Sequence, residues 1–251
     1  MDWILLTVSG LTLLISAYTF HKVRRIHLAT FEIREEVQKT RRETDVLYSQ
    51  LAAYDELNRL LKFRWPLPPL RGWAASPDFL LEIAKDALQR RPETIVECSS
   101  GSTTLTLARC CELNGNGHVY SLEHDPEYAA ETRSRLREQG LEPWATVIDA
   151  PLVAYKQLGG QFWYSLDGLV IQKPIDLLVI DGPPWNTAPL ARYPALPMFN
   201  QMLSPTVHIF LDDADREEET ATLKRWKEES VKIEIKKISN EKGAACLLFP
   251  K

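Results

Sequence analysis

Residues 94–104 read Thr-Ile-Val-Glu-Cys-Ser-Ser-Gly-Ser-Thr-Thr. The short apolar run 94–96 has the β-branched composition of a buried strand, and it ends at Glu97. A turn of small residues follows over 98–102, and a helix is expected from about residue 103. A strand, a tight turn and a helix in this order predict one unit of a parallel sheet covered by helices.

The same alternation continues to the C-terminus. Further strands are predicted at 118–122, 145–148, 175–180 and 207–211, and a closing hairpin at 232–238 and 245–249. Helices are predicted at 77–88, 103–112, 125–139 and 216–229. We therefore expect a Rossmann-like, doubly wound α/β sheet that is mostly parallel and has an antiparallel C-terminal strand.

An acidic residue ends each of the predicted parallel strands. These residues are Glu97, Glu123, Asp149, Asp181 and Asp212, the last followed by Asp213. The carboxyl ends of the strands line the ligand crevice of an open α/β sheet, so the acids are expected to meet there. Any one of them could instead cap the helix that follows.

Composition and motifs narrow the class of ligand. The first loop has neither G-x-G-x-x-G nor a P-loop lysine, which argues against a dinucleotide or ATP. The net charge of −4 argues against nucleic acid as a partner. An edge of carboxylates suits a ligand that carries hydroxyls and a cationic centre, and S-adenosylmethionine has both.

Three segments resemble motifs of the class I S-adenosylmethionine-dependent methyltransferases, in the small-molecule branch related to catechol O-methyltransferase. They are Glu97 to Thr104, Ser121 to Tyr128 and Ile180 to Pro184, in the family's order. The resemblance covers roughly residues 65–250, and it implies the class I methyltransferase fold with S-adenosylmethionine as cofactor.

The resemblance also implies a set of cofactor-binding residues: Glu97, Ser99, Gly101, Ser102, Glu123, Asp149 and Ala150. The loop 99–102 would wrap the methionine part, and Glu123 would accept hydrogen bonds from the ribose hydroxyls. Asp149 and the backbone of the next residue would meet the adenine. Ser99 stands where the family has a glycine, and a positive φ at this position would weaken cofactor binding.

Catalytic, metal and substrate residues are implied at the same edge. Asp181 is the expected general base, or a ligand of Mg²⁺ or another divalent cation together with Asp212 and Asp213. Alternatively, the last two cap a helix and support the crevice. A substrate wall is expected after the fourth strand. Its residues are Trp185, Arg192 and Tyr193, of which the arginine could instead pair with a surface acid.

The first 21 residues are expected to form a membrane anchor. Residues 3–20 carry no charge, although serine, threonine, glycine and tyrosine dilute the apolar run, and four cationic residues follow within 21–25. Cations at that end predict a single-pass helix with the remainder of the chain in the cytoplasm. The alternatives are an interfacial or buried helix and a cleaved signal peptide.

Residues 22–63 are expected to form a helical stalk, and residues 64–251 the methyltransferase domain after the proline run at 65–69. A heptad from Val23 places Leu51, Tyr54, Asn58 and Leu61 in its last a and d positions. The seam predicts a coiled-coil homodimer; the alternative is a lone helix packed back on the domain.

These patterns together predict a membrane-anchored methyltransferase. Its acceptor would be an oxygen or nitrogen of a small or lipid-linked molecule. The alternative is a non-catalytic methyltransferase-like scaffold, which the serine at position 99 and the stalk favour.

Overall fold

The computed structural model describes the backbone of residues 2–70, 72–230 and 233–249, with all side chains there except those of 2–6, 42 and 43. The chain divides into two compact units, residues 1–49 and 50–251. In the first unit the described residues belong to one helix. The second unit begins with the end of that helix and contains every strand of the described chain.

Helices and strands alternate along the chain. The helices are α1 Asp2–Leu61, α2 Pro77–Arg90, α3 Ser102–Asn114, α4 Pro126–Gln139, α5 Ala195–Phe199 and α6 Glu217–Glu229. The strands are β1 Thr94–Cys98, β2 His118–Glu123, β3 Ala145–Asp149, β4 Leu152–Tyr155, β5 Gln161–Tyr164, β6 Ile175–Ile180, β7 Leu203–Asp212, β8 Glu234–Ile238 and β9 Ala244–Leu248.

Seven strands form the main sheet in the order β3-β2-β1-β6-β7-β9-β8. The pairs from β3 to β7 are parallel, whereas β9 runs antiparallel to both β7 and β8. The predicted sheet, mostly parallel with an antiparallel C-terminal strand, is confirmed. A second sheet of two strands, β4 and β5, was not predicted, since its short segments carry no regular alternation.

Hydrophobic layers cover both faces of the main sheet. One layer includes side chains of the end of α1, of α2, α3 and α4, such as Phe79 and Leu107. The other includes Trp163 of β5, Phe199 of α5 and Trp226 of α6. All five residues of β1 are buried, as expected for a central parallel strand with helices on both sides.

The last turns of α1 belong to the core of the second unit. Gln50, Ala53, Leu57 and Leu61 are buried, and the Gln50 Nε2 donates to Asp78 Oδ2 at 2.6 Å. From Gln50 to Leu57 the buried face is therefore one residue out of phase with the predicted heptad, and the heptad position Leu51 is 58% exposed. Leu61 is the heptad position in this region that is buried. The coiled-coil seam is wrong here because the helix packs on its own domain, and the compact unit begins at Gln50 rather than at residue 64.

Within the part of the chain that the structure describes, no helix combines the length and the apolar character needed to cross a bilayer. The predicted anchor over 3–20 thus has no structural support, and the side chains of its residues 3–6 lie outside the described part.

Replacing Leu57 by alanine is expected to lower the free energy of unfolding by about 2–5 kcal/mol, because it leaves a cavity in the core. Leu51→Ala, on the same helix but exposed, is the matched control and should change it by less than about 0.5 kcal/mol. Denaturant unfolding of both variants measures this. Equal effects would mean that α1 does not contribute its Leu57 face to the core.

Candidate functional site

A cavity of about 690 Å³ lies at the carboxyl ends of the parallel strands. Its wall includes the loop after β1, Glu123 at the end of β2, Asp181 after β6 and Asp213 after β7. Parallel strands bring their carboxyl ends to one edge, so residues distant in sequence meet here. Its volume falls within the range of small-molecule and cofactor pockets.

The loop after β1 forms one side of the cavity, and Ser99, Gly101 and Ser102 all line it. The Ser99 N–H donates to the carbonyl of Leu122 at 2.9 Å, which extends the pairing of β1 with β2. Ser99 has φ +115° and Gly101 has φ +144°. Serine is strained at such an angle, at a cost of about 1–3 kcal/mol, whereas glycine is not.

Glu97 lies beneath this loop and does not line the cavity. Its carboxylate is fully buried and accepts hydrogen bonds from Thr103 Oγ1, from Thr104 Oγ1 at 2.7 Å and from Ser121 Oγ at 2.6 Å. Burial raises the pKa of Glu97 from 4.5 to about 7, although the three hydroxyls act in the opposite direction. Glu97 thus fixes the start of α3 and, through it, the loop.

Glu97→Gln should flatten the dependence of stability on pH between about 4.5 and 7. The folded state keeps the Glu97 proton up to about pH 7, whereas the unfolded chain releases it near 4.5, so the free energy of unfolding falls as pH rises through this window. The fall is about 3 kcal/mol for a shift of this size. Denaturant unfolding from pH 4 to 8 measures it, with Glu138→Gln, an exposed site, as control. An unchanged profile would contradict the buried, protonated carboxyl.

Glu123 lines the cavity at the end of β2 and is only 4% exposed. Its Oε1 accepts the backbone N–H groups of His124 and Asp125, and its Oε2 accepts Ser100 Oγ at 2.9 Å. A carboxylate has about four acceptor positions, of which three accept hydrogen bonds here, and His124 Nδ1 lies 3.0 Å from Oε1. The Ser100 hydroxyl also lies 3.1 Å from Thr132 Oγ1, and turning toward this threonine would free an acceptor position on Glu123 Oε2.

Asp149 and Ala150 do not line the cavity. The Asp149 carboxylate is exposed and pairs with Arg133 at 2.8 Å, while the N–H of Ala150 donates to the carbonyl of Glu123 at 2.7 Å. The structure therefore does not bring either residue to the wall of this cavity. β2 and β3 are paired to their ends, which turns the Asp149 side chain toward α4.

Three carboxylates meet at the other end of the cavity. One ligand oxygen each of Asp181, Asp212 and Asp213 lies within 4.8 Å of the others. Burial raises the pKa of Asp181 well above its ordinary value, and the neighbouring charge of Asp212 adds to this. Burial and the charge of Asp213 raise the pKa of Asp212 to about 6, while the Arg192 guanidinium acts against the rise. A buried cluster of this kind is stabilised by a proton or by a cation.

Arg192 lines the cavity but is itself only 4% exposed. Its guanidinium donates to Asp213 Oδ2 at 2.9 Å and to the carbonyl of Asp212 at 2.8 Å. These contacts occupy the side chain, so it supports the cluster from behind instead of forming a free substrate wall.

The other two predicted substrate residues do not line the cavity. Tyr193 is buried, and its hydroxyl donates to the Glu229 carboxylate at 3.0 Å. Trp185 is 52% exposed. Both follow β6 in sequence as expected. Trp185 lies in the turn at 185–187, and the Tyr193 ring packs against Arg225 of α6, so neither side chain reaches the cavity wall.

Sequence reasoning missed the segment formed by residues 68, 69 and 72–75, which supplies Trp73 and several small residues to the cavity wall. Lys242, in the turn between β8 and β9, holds this segment by donating to the carbonyl of Ala74 at 3.0 Å. The proline run was interpreted only as a domain boundary. No periodicity or motif could have shown that it folds over the site.

A family described as "Methyltransferase domain" matches residues 96–214. A search of curated proteins finds no match.

Solved structures share the fold. A methyltransferase from Podospora anserina with bound SAH is 15% identical, with a TM-score of 0.54 over 79% of this chain and 88% of that one. An O-methyltransferase from Bacillus cereus in complex with SAH is 16% identical, with a TM-score of 0.53 over 79% of this chain and 91% of that one. The O-methyltransferase TomG from Streptomyces achromogenes in complex with SAM is 17% identical, with a TM-score of 0.55 over 83% of this chain and 96% of that one.

The match runs from within β1 to just past the end of β7, and it includes the acids at the carboxyl ends of the parallel strands. The seven-stranded, mostly parallel sheet is that of the class I methyltransferase fold. The domain match and the methyltransferase neighbours together support a methyltransferase that depends on S-adenosylmethionine.

Proposed function

We propose that this chain transfers a methyl group from S-adenosylmethionine to an oxygen or nitrogen of a small or lipid-linked acceptor. The observation that carries the proposal is one cavity with the small-residue loop and Glu123 on one side and Asp181 on the other. The first side suits the cofactor and the second suits proton removal. An oxygen acceptor has the additional support of the O-methyltransferases that share the fold.

The residues of the first side fit the cofactor. Nothing described lies within 4 Å of the position that a Cβ would take at Gly101, so the loop leaves room for close approach of a ligand. Glu123 would accept the ribose hydroxyls once Ser100 turns to Thr132. Ser99 and Ser102 line the wall along which the methionine part would lie. When bound, the cofactor supplies an electrophilic methyl group for an in-line displacement.

The residues of the second side act on the acceptor. Asp181 would take the proton of the acceptor hydroxyl or amine, and the cavity would hold the acceptor in line with the methyl group, which accounts for much of such catalysis. The donor set also fits a hard divalent cation, because neither oxygen of the buried Asp212 carboxylate accepts a well-formed hydrogen bond from a described residue. Such a cation would lower the pKa of an acceptor hydroxyl.

Calorimetric titration of the full chain with S-adenosylmethionine, followed by turnover with labelled donor, tests the proposal. Micromolar binding and label in an extractable small molecule or lipid, with and without Mg²⁺, are the expected results. Binding without any transfer would favour a non-catalytic scaffold, for which the strained Ser99 in the cofactor loop is the supporting observation. No binding at millimolar donor would contradict both the cofactor and the transfer.

The location at a membrane and the dimer are also proposals. The uncharged run 3–20 and the cations that follow it support a single-pass anchor with the domain in the cytoplasm. Exposed apolar residues such as Ile26, Ile33 and Val37 in the described part of α1 support pairing with a second copy. Deleting residues 1–21 should release the chain from membranes. Sedimentation of the deletion variant should show a dimer, and a monomer would exclude pairing through α1.

A further inference from the structure

The Asp213 carboxylate has both of its oxygens engaged by arginines. Arg192 donates a hydrogen bond to Oδ2 at 2.9 Å, whereas Arg216 lies 2.9 Å from Oδ1 as an ion pair without an aligned hydrogen bond. The two guanidiniums approach from different elements, since one follows β6 and the other precedes α6. Asp213 can therefore bind a metal ion through Oδ2 only by giving up Arg192, and through Oδ1 only by separating the ion pair with Arg216.

Arg192 is fixed in this place by several independent contacts. It also donates to the carbonyl of Asp181 at 3.2 Å, and its Nε lies 3.6 Å from the Glu219 Oε1. The guanidinium is always charged and is buried here, so it acts as a permanent cation within the cluster. Moving this guanidinium would break its contacts with two carboxylates and two carbonyls and leave a buried charge unpaired, which is costly.

Neither Asp181 nor Asp212 has an arginine side chain within hydrogen-bonding distance of its carboxylate, as Asp213 does, among the described residues. The Asp181 carboxylate lies 3.8 Å from the Arg192 guanidinium, beyond hydrogen-bonding distance. Neither oxygen of Asp212 accepts a well-formed hydrogen bond from a described residue. The backbone N–H of Asp213 lies close enough to lower the pKa of Asp212, against the larger effect of burial. Buried carboxylates in this state require a cation or a proton.

The formal charges lead to the same pair. Asp181, Asp212, Asp213 and Glu219 carry −4, and the two arginines that pair within this group carry +2, which leaves −2. Lys242 contributes a further positive charge that acts on Asp181 and Asp212, so the cluster keeps a smaller net negative charge. The two carboxylates without a hydrogen bond from an arginine side chain are those of Asp181 and Asp212. Magnesium-like ions commonly use one or two carboxylates and complete their shell with water.

We infer that Arg192 is a built-in cation that withdraws Asp213 from metal coordination, so that the site takes one divalent cation on Asp181 and Asp212 alone. Arg192 is thus a positioning residue that sets how many protein ligands the ion has. The inference deepens the proposed function, because the ion would lie where the acceptor is expected, but its test needs neither donor nor acceptor.

The test is binding of Mn²⁺ alone to the full chain, with free Mn²⁺ measured by electron paramagnetic resonance. Asp212→Asn and Asp213→Asn each remove one negative charge and are closely matched in size. Because only Asp212 is a ligand in this arrangement, Asp212→Asn should weaken binding at least about tenfold more than Asp213→Asn does. Comparable losses would mean that Asp213 is a ligand and would overturn the inference, as would no binding by the unmodified chain.

Arg192→Gln gives a second, independent result. Without the guanidinium, Asp213 becomes available and the cluster gains a negative charge, so Mn²⁺ should bind at least about tenfold more tightly. Adding Asp213→Asn to this variant should remove most of the gain, whereas Arg192→Lys, which keeps the charge, should show little gain. Thermal unfolding identifies variants that fail to fold. If Arg192→Gln folds and binds no more tightly, Arg192 does not compete with the ion and the inference fails.

Discussion

Glu123→Gln should weaken binding of S-adenosylmethionine by about ten- to a hundredfold. Hydrogen bonds to a charged group contribute about 1.5–3 kcal/mol, and the ribose hydroxyls would lose their charged acceptor in a largely buried place. The amide also disturbs the turn, because Glu123 accepts the N–H groups of His124 and Asp125. Calorimetric titration of the variant and of the unmodified chain measures the difference.

The control for Glu123 is Glu127→Gln, which removes the same charge from an exposed position on the following helix. It should leave the affinity unchanged, and thermal unfolding should show that both variants fold. S-adenosylhomocysteine should lose affinity by a similar factor in Glu123→Gln, since it keeps the ribose and lacks the methyl group. Unchanged affinity for both ligands would remove Glu123 from the cofactor site.

Asp181→Asn should lower the rate of methyl transfer by about a hundred- to ten-thousandfold, the range that general base catalysis contributes. Cofactor binding should persist, because Glu123 and the loop 99–102 form the other side of the cavity. Single-turnover transfer with saturating donor separates the chemical step from binding. The measurement uses an acceptor that takes up label from the donor in the turnover experiment.

Asp167→Asn, an exposed site before β6, serves as the control and should transfer at the normal rate. The position of Asp181 makes the result informative, since its side chain is 10% exposed and reaches the cavity, whereas that of Asp212 is buried behind it. Retained turnover in Asp181→Asn would exclude Asp181 both as the base and as an essential metal ligand.

The sheet could be predicted because its signals are local. Runs such as Ile95-Val96 and Leu177 to Ile180 are apolar on both faces, and each is followed directly by an acid. A strand that is buried between two helix layers is mostly apolar on both faces, so an apolar run of this length predicts a buried strand. The hairpin β4–β5 was missed because four-residue strands leave too few residues for a period to be recognised.

The end of α1 shows where a repeating pattern misleads. The predicted positions Leu51, Tyr54 and Asn58 and the buried residues Gln50, Ala53 and Leu57 differ by one residue along the chain. Each set has helical spacing and contains one polar residue. Spacing alone does not say which partner covers a face. The choice depends on Gln50 meeting Asp78 and on Leu57 entering the core, contacts between segments that are far apart in sequence.

The sequence by itself determined the fold class, the order of the strands along the chain and the gathering of acids at one sheet edge, because these follow from periodicity and from the geometry of parallel strands. Only the tertiary structure decided what each acid does. Glu97 is buried beneath the loop, Asp149 points to Arg133, and Asp213 is held by two arginines. The reason is physical: the charge and burial of a carboxylate depend on neighbours brought from other elements, and no local pattern encodes them.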